Sequence, residues 1–385
     1  MHTVFLDFHK AFDRVWHAGL LHKLAQIGVG PSACDWLRNY LSARCLRVRV
    51  GTDLSSPHTT SAGVPQGSHL GPVLFLVFID DLPAATPETS LELYADDALL
   101  HNEIRKLVRS TSDRVPLLAT SVQAAFDWAR SWRGQFSLGK TVALALGAPA
   151  QSLQLTSPLT VDRETIIHVA SHKHLGLTLS NNLRWHDHVT KLLSAGRKQA
   201  GLFRHICYDV RPDVASKLYL TQIRPTFEYA CQVWHFGLDE GDAIALEKVQ
   251  ASIARSILRA EWRTPKHELL QALGWPSLRW RRTILSMKMI HSLLYGNKNG
   301  PLASCLYPTS HTALRKPKQL LLPRARTTCR TKSFFFTASC LWNTLPTHIQ
   351  DISSSEAFVS AVEDHWAAYK HNTHNCPQEL IKQYK

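Results

Sequence analysis

The stretch LELYADDALL, residues 91–100, sets two adjacent carboxylates, Asp96 and Asp97, between two short apolar runs. Each run is strand-sized, and a tight turn between them makes a β-hairpin with acids at its tip. Asp is favoured in turns because its side chain bonds nearby backbone, so this pair alone is as compatible with a turn as with chemistry. A third acid shifts the balance. Asp7 lies inside VFLDF, a β-branched and aromatic run expected to be a buried strand, where an unpaired carboxylate costs roughly several kcal/mol of desolvation. Lys10, the nearest base, falls on the expected following helix and need not face it. A cation is therefore expected at the tip. Three carboxylates from two neighbouring strands suit Mg²⁺, a hard ion that takes oxygen ligands, and two ions about 3.5–4 Å apart would serve both oxygens of an in-line phosphoryl displacement. Asp13, Asp80 and Asp81 are assigned to helix starts, turns and surface pairs.

The rest of the chain narrows the class. Its 385 residues, 44% hydrophobic, give two or three units with packed cores. VLFLVFI, the longest apolar run, stops at Asp80, well short of a membrane span, and the charged start lacks the pattern of a signal peptide. The 8 cysteines form no CxxC pair, so they are expected as reduced thiols; His371, His374 and Cys376 lack the second pair a zinc finger needs. The net charge of +14 sits in the second half: residues 1–180 carry 16 bases against 15 acids, and residues 181–385 carry 28 against 15. Gly300 to Gln350 has no acid at all, yet holds Arg315, Lys316, Lys318, Arg324, Arg326, Arg330 and Lys332. Such a segment attracts polyanions by counterion release, or else serves as a solvated face.

Pattern along the chain predicts an α+β unit to about residue 180: strand HTVFLDF, a helix from Lys10 to Val29, a second opened by Pro31, a half-exposed strand RCLRVRVGT, and a buried helix VLFLVFIDDLP. The acidic hairpin, a helix from about Asp113 to Trp132, a strand near Thr141–Leu146 and the hairpin HKHLGLTLS complete it. Helical spacing dominates from Asn182 onward, and no internal repeat is found.

The ordered set VFLDFHKAFDRVWH, AGVPQGSHLGPVLF, LYADD, FSLGKT and HKHLGLTL resembles the polymerase core of non-LTR (LINE-type) retrotransposon reverse transcriptases. LEKVQASIARSIL and SFFFTASCLWNTLP resemble the same family's later signatures, so the likeness covers nearly the whole chain. It implies a right-hand polymerase: a palm over residues 1–180, a helical thumb-like region over 181–262, and a basic C-terminal region over 263–385. Asp7, Asp96 and Asp97 would hold two Mg²⁺ ions, with Mn²⁺ as substitute, helped by the backbone carbonyl of Phe8. A primer 3′-hydroxyl would attack the α-phosphate of a dNTP on an RNA template, with pyrophosphate leaving. By the same likeness Phe12 is the steric gate against a ribose 2′-hydroxyl, Gln66 and Gly67 lie along the nascent base pair, and Tyr94 belongs to the substrate site. Lys140 would give a proton to pyrophosphate, a role helped when burial or neighbours lower its pKa. His174, Leu175 and Gly176 would head the primer-gripping hairpin. Without the likeness these positions read as a core aromatic, a plain turn and surface charge.

Some positions depart from the family. It places a fingers region, usually with an endonuclease, ahead of the first aspartate, whereas this chain starts six residues before Asp7. The expectation is a copy truncated or started late, without the basic side chains that hold the triphosphate. His9 stands where a small residue is common, and Ser137 replaces an asparagine. Two readings remain open: a polymerase core, or a silent nucleic-acid-binding remnant. A different two-metal enzyme, such as an exonuclease, explains the acids but not Phe12 or VPQGS.

Overall fold

HTVFLD forms β1 (His2–Asp7), the middle strand of a five-stranded sheet, and β-branched and aromatic residues let it bury both faces. The computed structural model describes residues 1–102, 114–147, 159–296, 300–308 and 319–371. The sheet runs in the order β5 (Ile167–His168), β4 (Val142–Ala145), β1, β3 (Asp97–His101), β2 (Ser90–Tyr94). Its pairs are antiparallel except the parallel β5–β4 edge. On one face Val4, Leu6 and Phe8 enter the main core with Phe75, Phe78, Trp128 and Phe136. On the other, Phe5 meets the rings of His172 and His174 at 4.4 and 5.0 Å. Alternation puts Asp7 on the face of Phe5.

Helices α1 (His17–Gln26), α2 (Pro31–Leu41), α3 (Leu70–Ile79) and α4 (Arg114–Ser131) pack on this sheet's unit, which comprises Met1–Gly176 and Ser180–Leu183. The helix expected from Lys10 is broken into a 3₁₀ turn at Phe12–Arg14 and then α1. Lys10 has φ 50°, and Val15 and Trp16 have ψ of 116° and 113°, so a helical backbone cannot pass through them. RCLRVRVGT is two short strands instead of one, because Arg44–Leu46 pairs with His58–Thr60 whereas Arg49–Val50 folds onto Asp53–Leu54. Asp113, the expected start of the long helix, lies outside the described residues. Strands β6 (Ser171–His174) and β7 (Leu177–Ser180) flank a turn in which Leu175 and Gly176 both take positive φ, 45° and 81°.

The second unit, Leu177–Leu179 with Arg184–Lys385, is helical. Its first hydrophobic cluster draws on α5 (His186–Cys207), α6 (Pro212–Leu218) and α7 (Glu240–Leu258), around Phe203, Tyr219, Trp234 and Trp275. Its second draws on α8 (Leu278–His291), α9 (Phe334–Thr344) and α10 (Ser355–His365), around Trp280, Trp342, Phe358 and Trp366. No helix among the described residues is long and apolar enough to cross a membrane.

Candidate active site

Register brings two of the three acids together. In the β1–β3 pair Asp7 lies directly opposite Asp97, and in the β2–β3 hairpin Tyr94 lies opposite the same Asp97. Cross-strand partners carry Cβ atoms about 4.5–5.5 Å apart, so both carboxylates project from the same face of the sheet. Ala95 and Asp96 make the two-residue loop, and Asp96 is exposed on it. Ala95 has φ 54°, the left-handed region that such loops demand at their first position. Among the described residues no three His, Cys, Asp or Glu side chains are gathered as a ready metal-binding group, so the expected triple cluster is not preassembled.

The burial argument for Asp7 is overturned. Its side chain is 42% exposed, because β1 ends there and the strand's enclosed part stops at Leu6. Its counter-charge is Lys140, whose Nζ stands 3.5 Å from Asp7 Oδ2. Lys140 is itself 69% exposed, and its neighbour is an anion. The turn that carries it is held by backbone: Ser137 N–H donates to the Asp7 carbonyl at 2.7 Å, and Lys140 N–H to the Ser137 carbonyl at 3.2 Å. Ser137 thus acts through its main chain, which any residue supplies.

Phe8 buries its ring against Phe136, with ring centroids 4.8 Å apart, and against Phe75. The flanking bonds, His9 N–H to Gln135 and Ser137 N–H to Asp7, make Phe8 and Phe136 a non-hydrogen-bonded pair. The Phe8 carbonyl therefore points to the other side of the strand, where β3 lies. Phe12 is half-buried on the 3₁₀ turn and stacks on Phe75 at 4.8 Å. Gln66 donates through Nε2 to Asp13 Oδ1 at 3.0 Å, tying its loop to that turn, and Gly67 takes φ 79° with open space around it. Asp13 is thus a tether for the loop, a role the pattern alone did not reveal. Asp81 is likewise more than a surface pair: it accepts from Lys23 at 2.5 Å and from Trp128 at 3.0 Å. Tyr94 is 68% exposed. Burial lowers the His174 imidazole's pKa, with the nearby Asp97 carboxylate acting in the opposite direction. That His–Asp proximity was not visible in sequence, since 77 positions separate the two.

Of the basic segment, Arg324, Arg326 and Arg330 are exposed. Lys332 differs: it is half-buried and paired with Asp239 at 3.3 Å, so it does not stand with the open bases. Arg315, Lys316 and Lys318 lie outside the described residues, as do His374 and Cys376. The LEKVQASIARSIL signature has a structural cause. Glu247 is fully buried and accepts from the backbone N–H of Leu278 and Arg279 at 3.3 and 2.7 Å, capping α8, while Gln250 donates to the Pro276 carbonyl. Asn343 of SFFFTASCLWNTLP exchanges two hydrogen bonds with the backbone of Leu320.

Residues 1–179, just under half of the chain, match the family model described as reverse transcriptase (RNA-dependent DNA polymerase). Several of its relatives are named as RNA-directed DNA polymerases of mobile elements. The chain is 28% identical over 271 residues to the probable RNA-directed DNA polymerase from transposon X-element of Drosophila melanogaster. It is 29% identical over 284 residues to the RNA-directed DNA polymerase from mobile element jockey of the same fly, and 31% over 249 residues to that of transposon BS. These matches take in 68%, 71% and 60% of this chain but 28%, 30% and 26% of the relatives. The chain thus spans under a third of their length.

Reverse transcriptases use divalent metal ions. The donor chemistry fits one: part-exposed Asp7 and exposed Asp97, facing each other across the strand pair, are hard oxygen ligands, as is the neighbouring backbone carbonyl of Phe8, and substrate phosphates with water complete the shell of such ions.

Proposed function

We propose that this chain is the polymerase core of a retrotransposon RNA-directed DNA polymerase. It would extend a DNA primer on an RNA template with dNTPs. The observation that carries the reading is the Asp7–Asp97 pairing across the middle of the sheet. In this reading residues 1–180 are the palm, 181–262 the thumb-like region and 263–385 the basic C-terminal region.

Asp7, Asp97 and Asp96, with the Phe8 carbonyl, would hold two Mg²⁺ ions, which when bound neutralise phosphate charge and make the primer 3′-hydroxyl acidic. The remaining work falls to side chains. Phe12, braced flat on Phe75, presents a rigid ring where a 2′-hydroxyl would have to fit. The Gln66–Gly67 loop, anchored by Asp13, supports the nascent pair with backbone that glycine lets approach closely. Tyr94, exposed beside the acids, borders the substrate. Lys140 sits within reach of the acid pair to balance their charge in the free protein and to give its proton to departing pyrophosphate. His174, Leu175 and Gly176 hold the primer end, and Arg324, Arg326 and Arg330 contact phosphates, as Arg315, Lys316, Lys318 and Lys332 would in the wider basic segment.

The test is primer extension on an RNA template with Mg²⁺. Extension is expected for the parent chain, and Asp97→Asn or Asp96→Asn is expected to abolish it while leaving circular dichroism unchanged. Equal extension by mutant and parent would reject the assignment. A second reading, a nucleic-acid-binding chain without turnover, is favoured by one observation, that the acids are not preassembled as a cluster. It predicts binding without extension in every form.

A further inference from the structure

The chain from Arg44 to Thr60 forms a ribbon that pairs with no strand of the five-stranded sheet. Arg44–Leu46 pairs with His58–Thr60 and Arg49–Val50 with Asp53–Leu54. Between them Ser55 N–H donates to the Val48 carbonyl and Val48 N–H to Ser55 Oγ, both at 2.9 Å, which joins the two pairings into one. Among the described residues no third strand adds to either, and residues 45–59 are all exposed. A lone two-stranded ribbon is marginal in water, since burying an apolar face takes a third strand or a covering element. This ribbon has such a face. Leu46, Val48 and Val50 are 54, 67 and 73% exposed and alternate with Arg47 and Arg49, so one side is aliphatic and the other cationic.

The aliphatic side continues onto α2. Alternation puts Arg44 on the side of Leu46, and its guanidinium lies 5.7 Å from the Tyr40 ring, on which exposed Trp36 stacks with centroids also 5.7 Å apart. Trp, Tyr and Arg are the side chains that most often anchor protein interfaces. Two features define what covers this strip. The first is backbone. Val48 turns its N–H and C=O toward Ser55, so alternation turns those of Arg49 outward, to an edge that no described strand occupies and an extended segment can pair with. The second is charge. Among the described residues no carboxylate pairs with Arg44, Arg47 or Arg49, although Arg38 on α2 has Asp35, and the ribbon's single acid is Asp53. A second copy pairing along this edge would bring the two sets of arginines together, and like charges facing across strands oppose it. An acidic segment meets no such repulsion.

We infer that the open edge along Arg47–Val50 docks an extended polypeptide segment in which acidic and aliphatic residues alternate. Its backbone adds a third strand, its acids lie beside Arg47 and Arg49, and its aliphatic side chains extend the face of Leu46, Val48 and Val50. Trp36 and Tyr40 take a large apolar residue at the α2 end. The contact uses neither Asp7 nor Asp97, so it stands apart from the polymerase reading.

The test uses the full chain and a fluorescently labelled peptide of about nine residues that alternates valine and glutamate and ends in tryptophan, read by anisotropy at about 100 mM salt. Two further peptides are compared, one of the same composition with its glutamates in a single block and one with lysine for every glutamate. The alternating acidic peptide is expected to bind at least about tenfold more tightly than either. The variant R47E/R49E is expected to lose that peptide and to gain the lysine one, a reciprocal exchange that a misfolded chain would not give. V48S/V50S is expected to weaken binding about tenfold with circular dichroism unchanged, since both side chains are exposed. The inference is overturned if the blocked peptide binds as well as the alternating one, or if R47E/R49E leaves the preference as it was. It is overturned in favour of self-association if the parent sediments as a dimer that V48S/V50S dissolves. Stronger displacement of the peptide by a single-stranded oligonucleotide than by unlabelled peptide would overturn it in favour of nucleic acid. Asp97→Asn, expected to lose extension, is expected to keep peptide affinity within about twofold, which separates the two proposals.

Discussion

Ala95 shows how much geometry one residue of the acidic hairpin absorbs. Its φ of 54° costs an alanine roughly 1 kcal/mol that a glycine avoids. Ala95→Gly is therefore expected to leave stability within about 1 kcal/mol of the parent, because relief of strain and added chain entropy oppose each other, whereas Ala95→Val is expected to lose about 1–3 kcal/mol in urea unfolding. Gly63 is a sharper case. It has φ 91°, and a Cβ there would stand 2.8 Å from the Asp13 carbonyl oxygen. Gly63→Ala is expected to cost more than Gly67→Ala, which shares the positive φ but meets open space; equal losses by denaturant titration would refute the steric account. At this scale the sequence was legible where a residue's type is unusual for its place, as with Asp7 in an apolar strand. It was opaque where a partner lies far along the chain: nothing local links Asp13 to Gln66, or Asp97 to His174.

Among elements, α1 shows what periodicity conceals. Its apolar face was readable, but Lys23 looked like ordinary helix surface and is 5% exposed. Its Nζ donates to the Phe78 carbonyl at the end of α3 and to Asp81, and lies 3.7 Å from the centre of the Trp132 ring, with Trp128 and Phe78 alongside. Burial pushes its pKa down, and the Asp81 carboxylate opposes this. One cation thus clamps α1 to α3 and to the end of α4. Lys23→Ala is expected to cost about 2–4 kcal/mol, and Lys23→Met less, because methionine refills the aromatic cage while part-exposed Asp81 returns to water; the comparison is made by thermal or urea unfolding. Strands were legible in the same partial way. Alternation located RCLRVRVGT as extended chain, but its division into two hairpins depends on partners, which alternation does not encode.

For the whole molecule, acid is the expected weak point. Burial pushes the His188 imidazole to about 4, and its Nδ1 accepts from the Thr178 N–H, which requires the neutral ring. The folded chain then binds fewer protons than the unfolded one, so this stability is complete above about pH 6.5 and is lost as pH falls toward 4; a shift of that size corresponds to about 3 kcal/mol. His235, also held down by burial, acts in the same direction. Melting temperature is expected to drop across pH 6.5–4, and His188→Gln to flatten that drop; a parent curve level over the window would contradict it. The first unit was legible through ordered motifs that resemble one family's, and the second through helical spacing and two later stretches, LEKVQASIARSIL and SFFFTASCLWNTLP. Its buried Glu247, Arg282 and His235 are charged or polar residues on helices whose burial follows from contacts some 30 to 50 positions away. The part-exposed setting of Asp7 carries a last consequence. A descendant that had drifted to asparagine at both facing positions would still assemble the same sheet, so pressure to stay folded cannot guard the acids.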